Sequence, residues 1–124
     1  MKRAFFRPLA LLAGGMILVS GGCSGGSGGV TNSNGVVIVH ATSGDRFSPS
    51  TINITRGTTV RWVADVSAGH TVTPDNAAQA GVWSSASIGT SGQTFEFTFN
   101  TAGDFAYHCI PHQAVGMTGT VHVQ

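Results

Sequence analysis

Near its C-terminus the chain sets a thiol, an imidazole and a thioether within nine residues: Cys109, His112 and Met117, in Tyr107-His108-Cys109-Ile110-Pro111-His112-Gln113-Ala114-Val115-Gly116-Met117. The pattern Cys-x2-His-x4-Met on a loop between two strands is a soft ligand set. Two imidazoles and a thiolate in a trigonal plane, with a weak axial thioether, suit copper in an electron-transfer site. The second imidazole must come from elsewhere. His70 is the candidate, in Ala68-Gly69-His70-Thr71-Val72, where a loop enters a strand. Zinc competes less well, because structural zinc wants four strong ligands and a thioether is a poor one. A catalytic zinc would need a base nearby, and the loop contains no acid. A buried Met is ordinarily packing; the spacing of Met117 from Cys109 and His112 sets it apart.

The elements that must hold these residues read as β throughout. Val36-Val37-Ile38-Val39 is a β-branched run, expected to be buried on both faces. Ile52 and Ile54 alternate with Asn53 and Thr55, and Val60 and Trp62 with Arg61 and Val63. Phe95, Phe97 and Phe99 alternate with Glu96, Thr98 and Asn100, the pattern of a half-buried strand. Phe105, Tyr107 and Cys109 share a face, and Val121 and Val123 flank an outward His122. Short strands joined by Gly and Asp turns indicate an all-β antiparallel sandwich. The segment 75–80 is the one stretch with helical potential. His40 falls in the first strand as a surface or edge residue, and Trp62 and Trp83 read as core aromatics.

From Phe47 to the C-terminus the chain resembles the plastocyanin and pseudoazurin branch of the cupredoxins. The resemblance is carried by Phe47-Ser48-Pro49, Ile52-Asn53-Ile54, Gly57, Val60-Arg61-Trp62 and His70-Thr71-Val72. Phe97-Thr98-Phe99, Gly103, Tyr107 and the ligand loop through Gly119 and Val121 continue it. It implies an eight-stranded Greek-key sandwich with one type 1 copper, held by His70, Cys109, His112 and axial Met117. It implies an electron carrier, with no catalytic residues and no enzyme activity. Thr71 stands where relatives carry Asn or Ser, at a position whose N–H tunes the Cys sulfur and whose side chain ties the ligand loops together. His112 becomes the electron port, ringed by the uncharged Pro111, Ala114, Val115 and Gly116 as a docking patch for transient redox partners. The acidic patch of plant plastocyanins has no counterpart in the sequence. His108 occupies the position that ligates a second copper in copper nitrite reductases. Strand alternation turns it away from the copper side, and the reading adopted is an exposed side chain.

The N-terminus reads differently. Lys2, Arg3 and Arg7 precede an apolar run of 11 residues, Leu9 to Val19, and then Ser20-Gly21-Gly22-Cys23. This is an export signal over 1–22, too short to span a hydrocarbon core of about 30 Å. Cys23 resembles the lipidated Cys of bacterial lipoproteins, although Ser20 replaces the preferred Leu. A lipid there would tether the domain to a membrane surface. Segment 23–35 supplies the anchor and a Gly/Ser leash whose 12 residues after Cys23 reach about 20 Å as flexible coil. A Cys23–Cys109 disulfide would pin a run of glycines to the domain and add little. The folded unit is 36–124, with three Arg against four Asp and one Glu, a net charge of −2. It has no basic patch for nucleic acid. The expectation is a monomer in the cell envelope, in the periplasm or on the outer surface. Two alternatives stay open: a copper storage or delivery protein, and a nitrite-reductase-like oligomer with an interfacial copper at His108.

Overall fold

A computed structural model describes residues Val30–Thr31 and 35–124. The export signal, Cys23 and most of the leash lie outside the described residues. Ten strands form among them: β1 (Val30–Thr31), β2 (Val36–Ala41), β3 (Phe47–Ser48), β4 (Thr51–Ile54), β5 (Thr58–Ala64), β6 (His70–Pro74), β7 (Ala86–Ile88), β8 (Thr94–Phe99), β9 (Gly103–His108) and β10 (Thr118–Val123). They make two five-stranded sheets. One runs β1-β2-β5-β8 with β3 also on β2, and the other runs β4-β10-β9-β6-β7.

The sandwich matches the expectation, with two refinements. The strand count exceeds eight because β1 and β3 are two-residue edge pieces. The sheets are also mixed, since β2 runs parallel to β5 and β4 parallel to β10, whereas the other pairings are antiparallel. Alternation alone cannot report strand direction, because side chains alternate in either kind of ladder.

Three local expectations change. Val37, Val39 and Ala41 are buried, but Val36 and Ile38 are only partly covered and His40 is exposed, so β2 buries one face. Segment 75–80 forms turns, and the described helix is instead a 3-10 turn over Ile110–Val115, inside the ligand loop. Val30–Thr31 is not free coil; it pairs antiparallel with Val37–Ile38 on the open edge of β2.

Trp62, fully buried, is the centre of the core. Its ring lies 5.4 Å from Trp83, 5.5 Å from Tyr107 and 5.6 Å from Phe95. Such pairs contribute about 0.5–1.5 kcal/mol each beyond the area they bury. The Trp83 indole N–H donates to the Val72 carbonyl at 3.1 Å. Burial pushes the Tyr107 hydroxyl well above the usual tyrosine range. The Trp62 N–H lies toward that hydroxyl without a well-formed hydrogen bond. Tyr107 also dictates Gly119: a Cβ there would come within 2.3 Å of the ring. This packed aromatic layer carries β6 and β9, and with them the ligands at one end of the sandwich.

Candidate metal centre

The sandwich brings all four predicted ligands to one end. His70 opens β6 and Cys109 follows the last residue of β9; both are fully buried. His112 sits in the 3-10 turn, and Met117, also fully buried, precedes β10. Pro111 suits the first turn of such a helix, because its missing N–H would have no partner there. Gly116 ends the turn at φ +88°, a left-handed conformation that glycine adopts without strain.

The turn closes on itself through the main chain. The His112 N–H donates to the Cys109 carbonyl at 3.2 Å, the Met117 N–H to the His112 carbonyl at 3.2 Å, and the Cys109 N–H to the Met117 carbonyl at 3.0 Å. Three ligands are thereby tied to one another through the main chain.

His70 Nδ1, His112 Nδ1 and Cys109 Sγ form a triangle with sides of 3.2, 3.4 and 3.8 Å. Its centre lies about 2 Å from each corner, close to metal–imidazole and metal–thiolate bond lengths. The donor set therefore fits a trigonal metal. Burial, and secondarily His112, hold the His70 imidazole below its ordinary value, opposed by Asp45 and the Thr42 backbone. The neutral ring is the form that can ligate. Its Nε2 is buried without a well-formed hydrogen bond.

Thr71 contacts both Cys109 and the residue after it. Its N–H points at Cys109 Sγ over 3.3 Å, and its hydroxyl accepts the Ile110 N–H at 2.9 Å. That hydroxyl is 3.1 Å from the Thr73 hydroxyl, which is 2.7 Å from Ser85 Oγ. The three hydroxyls form a hydrogen-bonded chain that runs outward from the ligand loop.

The remaining histidines are all paired with aspartates. His108 turns away from the ligand side as expected, but it is not exposed. Its side chain is 16% accessible and Nδ1 meets Asp75 at 2.5 Å. His40 pairs with Asp65 at 2.7 Å and His122 with Asp104 at 2.6 Å. Among the described residues, His70, Cys109 and His112 are the sole metal-ligating cluster of His, Cys, Asp or Glu.

Sequence reasoning missed Asp45 and Arg46. Asp45 Oδ1 lies 3.7 Å from His112 Nε2, and the Arg46 guanidinium donates to the Val115 carbonyl at 2.6 Å. The one available signal was that Arg46 is among only three cations of the domain.

Comparison with known proteins decides the family. The profile of the copper-binding plastocyanin/azurin proteins matches residues 36–124. The chain belongs to that family. It is 33% identical over 84 residues to a plastocyanin from Scenedesmus fuscus, covering 63% of this chain and 86% of the relative. A chloroplastic plastocyanin from Tetradesmus obliquus is 36% identical over 84 residues, covering 63% and 58%. A halocyanin from Natronomonas pharaonis is 35% identical over 105 residues, covering 78% and 63%. Among solved structures, an amicyanin variant in its Cu(I) form superimposes with a TM-score of 0.62 at 22% identity, over 73% of this chain and 84% of that one. This likeness concerns the fold. The cofactor of this cupredoxin is copper, with His70, Cys109, His112 and Met117 forming its type 1 site. The protein transfers electrons and is not an enzyme.

Proposed function

We propose that this cupredoxin is an exported one-electron shuttle, tethered by lipid on Cys23 and serving transient donor and acceptor proteins. Copper held by His70, Cys109, His112 and Met117 supplies a Cu(II)/Cu(I) couple. The observation that carries the reading is the donor triangle of His70, Cys109 and His112, with Cys109 and His112 on a turn closed by its own main-chain bonds. Such a turn limits rearrangement when an electron arrives, and four protein ligands leave no position for a substrate.

His112 is the electron port in this reading, being the partly exposed ligand. The docking patch is Pro111, Ala114, Val115 and Gly116, to which Ile110 is added. Ile110 and Val115 are 57% and 55% exposed, the large hydrophobic residues exposed among the described ones. A small apolar patch matches the weak, short-lived interfaces of redox encounters. Neither copper delivery nor an interfacial copper at His108 gains an observation in its favour: three of the four ligands are fully buried, and His108 Nδ1 is engaged by Asp75.

The reading also revises the tether. With Val30–Thr31 paired to β2, the stretch between Cys23 and the folded unit shortens to residues 24–29. No helix among the described residues is long and apolar enough to cross a membrane.

The full chain, expressed in a bacterial host that processes lipoproteins, tests this. The expected result is membrane-fraction protein with a diacylglyceryl mass on Cys23, an intense blue thiolate-to-copper band, and one copper per chain. A mild reductant should bleach the band, and Cys109→Ser should abolish it. A colourless copper-bound protein defeats the carrier reading. Soluble protein with unmodified Cys23 defeats only the tether.

A further inference from the structure

We infer that Asp45 and Arg46 form a charged bracket on the ligand turn, with Arg46 a positioning residue of the copper site. The inference rests on the copper site itself. The bracket belongs to the tight turn between β2 and β3. That turn is closed without the Arg46 side chain: the Thr42 N–H donates to the Arg46 carbonyl at 2.9 Å, the Thr42 hydroxyl to the same carbonyl at 3.2 Å, and the Asp45 N–H to the Thr42 carbonyl at 3.2 Å. Asp45 takes φ +50°, a conformation Asp tolerates better than most residues.

From this turn two side chains reach the ligand loop. The Asp45 carboxylate faces the outer nitrogen of His112 at 3.7 Å. Arg46 Nη1 donates to the Asp45 carbonyl at 2.9 Å and to the Val115 carbonyl at 2.6 Å, and its guanidinium lies over the Gly116 backbone. Val115 and Gly116 immediately precede Met117. The turn's own bonds tie Cys109, His112 and Met117 to one another, and the Val115 carbonyl is gripped in addition from outside by a charge-assisted bond, the stronger class of hydrogen bond. Arg46 thus fixes the segment that sets the thioether, and Asp45 sets a fixed negative charge beside the exposed imidazole.

Charge and positioning separate cleanly, because the two residues carry opposite signs. Arg46→Met keeps the aliphatic stem and removes the charge and donors. Asp45→Asn keeps the turn conformation and removes the charge. On copper-loaded full-length chain, R46M should raise the Cu(II)/Cu(I) ratio at a fixed applied potential about two- to fivefold, and D45N should lower it by a similar factor. The double variant restores the net charge, so the ratio returns toward the parent. It should still lose copper to a Cu(I) chelator roughly three- to tenfold faster, because the grip on Val115 is gone. Arg46→Lys, which keeps a charged donor, should recover most of the parent rate. A double variant that releases copper at the parent rate overturns the inference: Arg46 is then a charge and nothing more. R46K releasing copper as fast as R46M also overturns it. A parent that never turns blue fails the copper reading instead, and the inference falls with it.

Discussion

Replacing Thr71 with Val tests the tie between the two ligand-bearing segments. Valine matches threonine in shape and suits a strand equally well, so β6 should be undisturbed. The main-chain N–H facing Cys109 Sγ at 3.3 Å also survives. What disappears is the hydroxyl that accepts the Ile110 N–H at 2.9 Å and heads the chain to Thr73 and Ser85. A neutral hydrogen bond contributes about 0.5–1.5 kcal/mol net, and a buried donor left unpaired costs about 1–3 kcal/mol. Ile110 is 57% exposed, so water can partly replace the lost acceptor, and the expected loss is about 1 kcal/mol. For a domain of this size that lowers Tm by about 4–8 °C. Thermal melts of metal-free and copper-loaded chain, with Thr71→Ser alongside, measure it. Serine should stay near the parent while valine drops, and the position of the thiolate-to-copper band should hardly move. A valine variant that melts with the parent would show that the tie adds nothing. A band that moves strongly at unchanged Tm would mean that the hydroxyl acts on the sulfur rather than on Ile110.

Met117→Leu should keep the blue band and raise the reduction potential, because a weak donor to Cu(II) is lost; an unchanged potential removes Met117 from the site. Gly119→Ala should destabilise the domain by about 1–3 kcal/mol, since the new methyl would strike the Tyr107 ring; a denaturant midpoint equal to the parent's would refute that packing. The metal-free chain should lose stability as pH falls below about 6.5, the ordinary histidine value. His70 is held below that value by burial, so the unfolded chain takes up a proton that the folded one refuses. The loss accumulates until the folded-state value is passed. Equilibrium unfolding of parent and His70→Gln between pH 5 and 8 checks this, and an equal acid slope in both would exclude His70 as the source.

The ligand set was legible because its chemistry is local. Cys109, His112 and Met117 lie on one turn, and a turn's length limits which metals those three atoms can share. The half-buried strands were legible for a similar reason, since the alternation of Phe95, Phe97 and Phe99, or of Val121 and Val123 about His122, is a property of neighbouring residues. Strand direction was not, because parallel and antiparallel ladders alternate alike; only the pairing of β2 with β5 and of β4 with β10 decided it. The edge position of Val30–Thr31 was hidden too, since two residues after a glycine run carry no periodicity. His108 shows the boundary well. Alternation gave its direction, but its partner Asp75 lies 33 residues away, and only the fold brings the two together. Asp45 and Arg46 stand 67 and 69 residues from His112 and Val115, and no spacing rule spans that gap. The sequence alone determined which residues can bind copper and which strands flank them. Tertiary structure decided what grips them, because those contacts join segments whose separation along the chain carries no information about their distance in space.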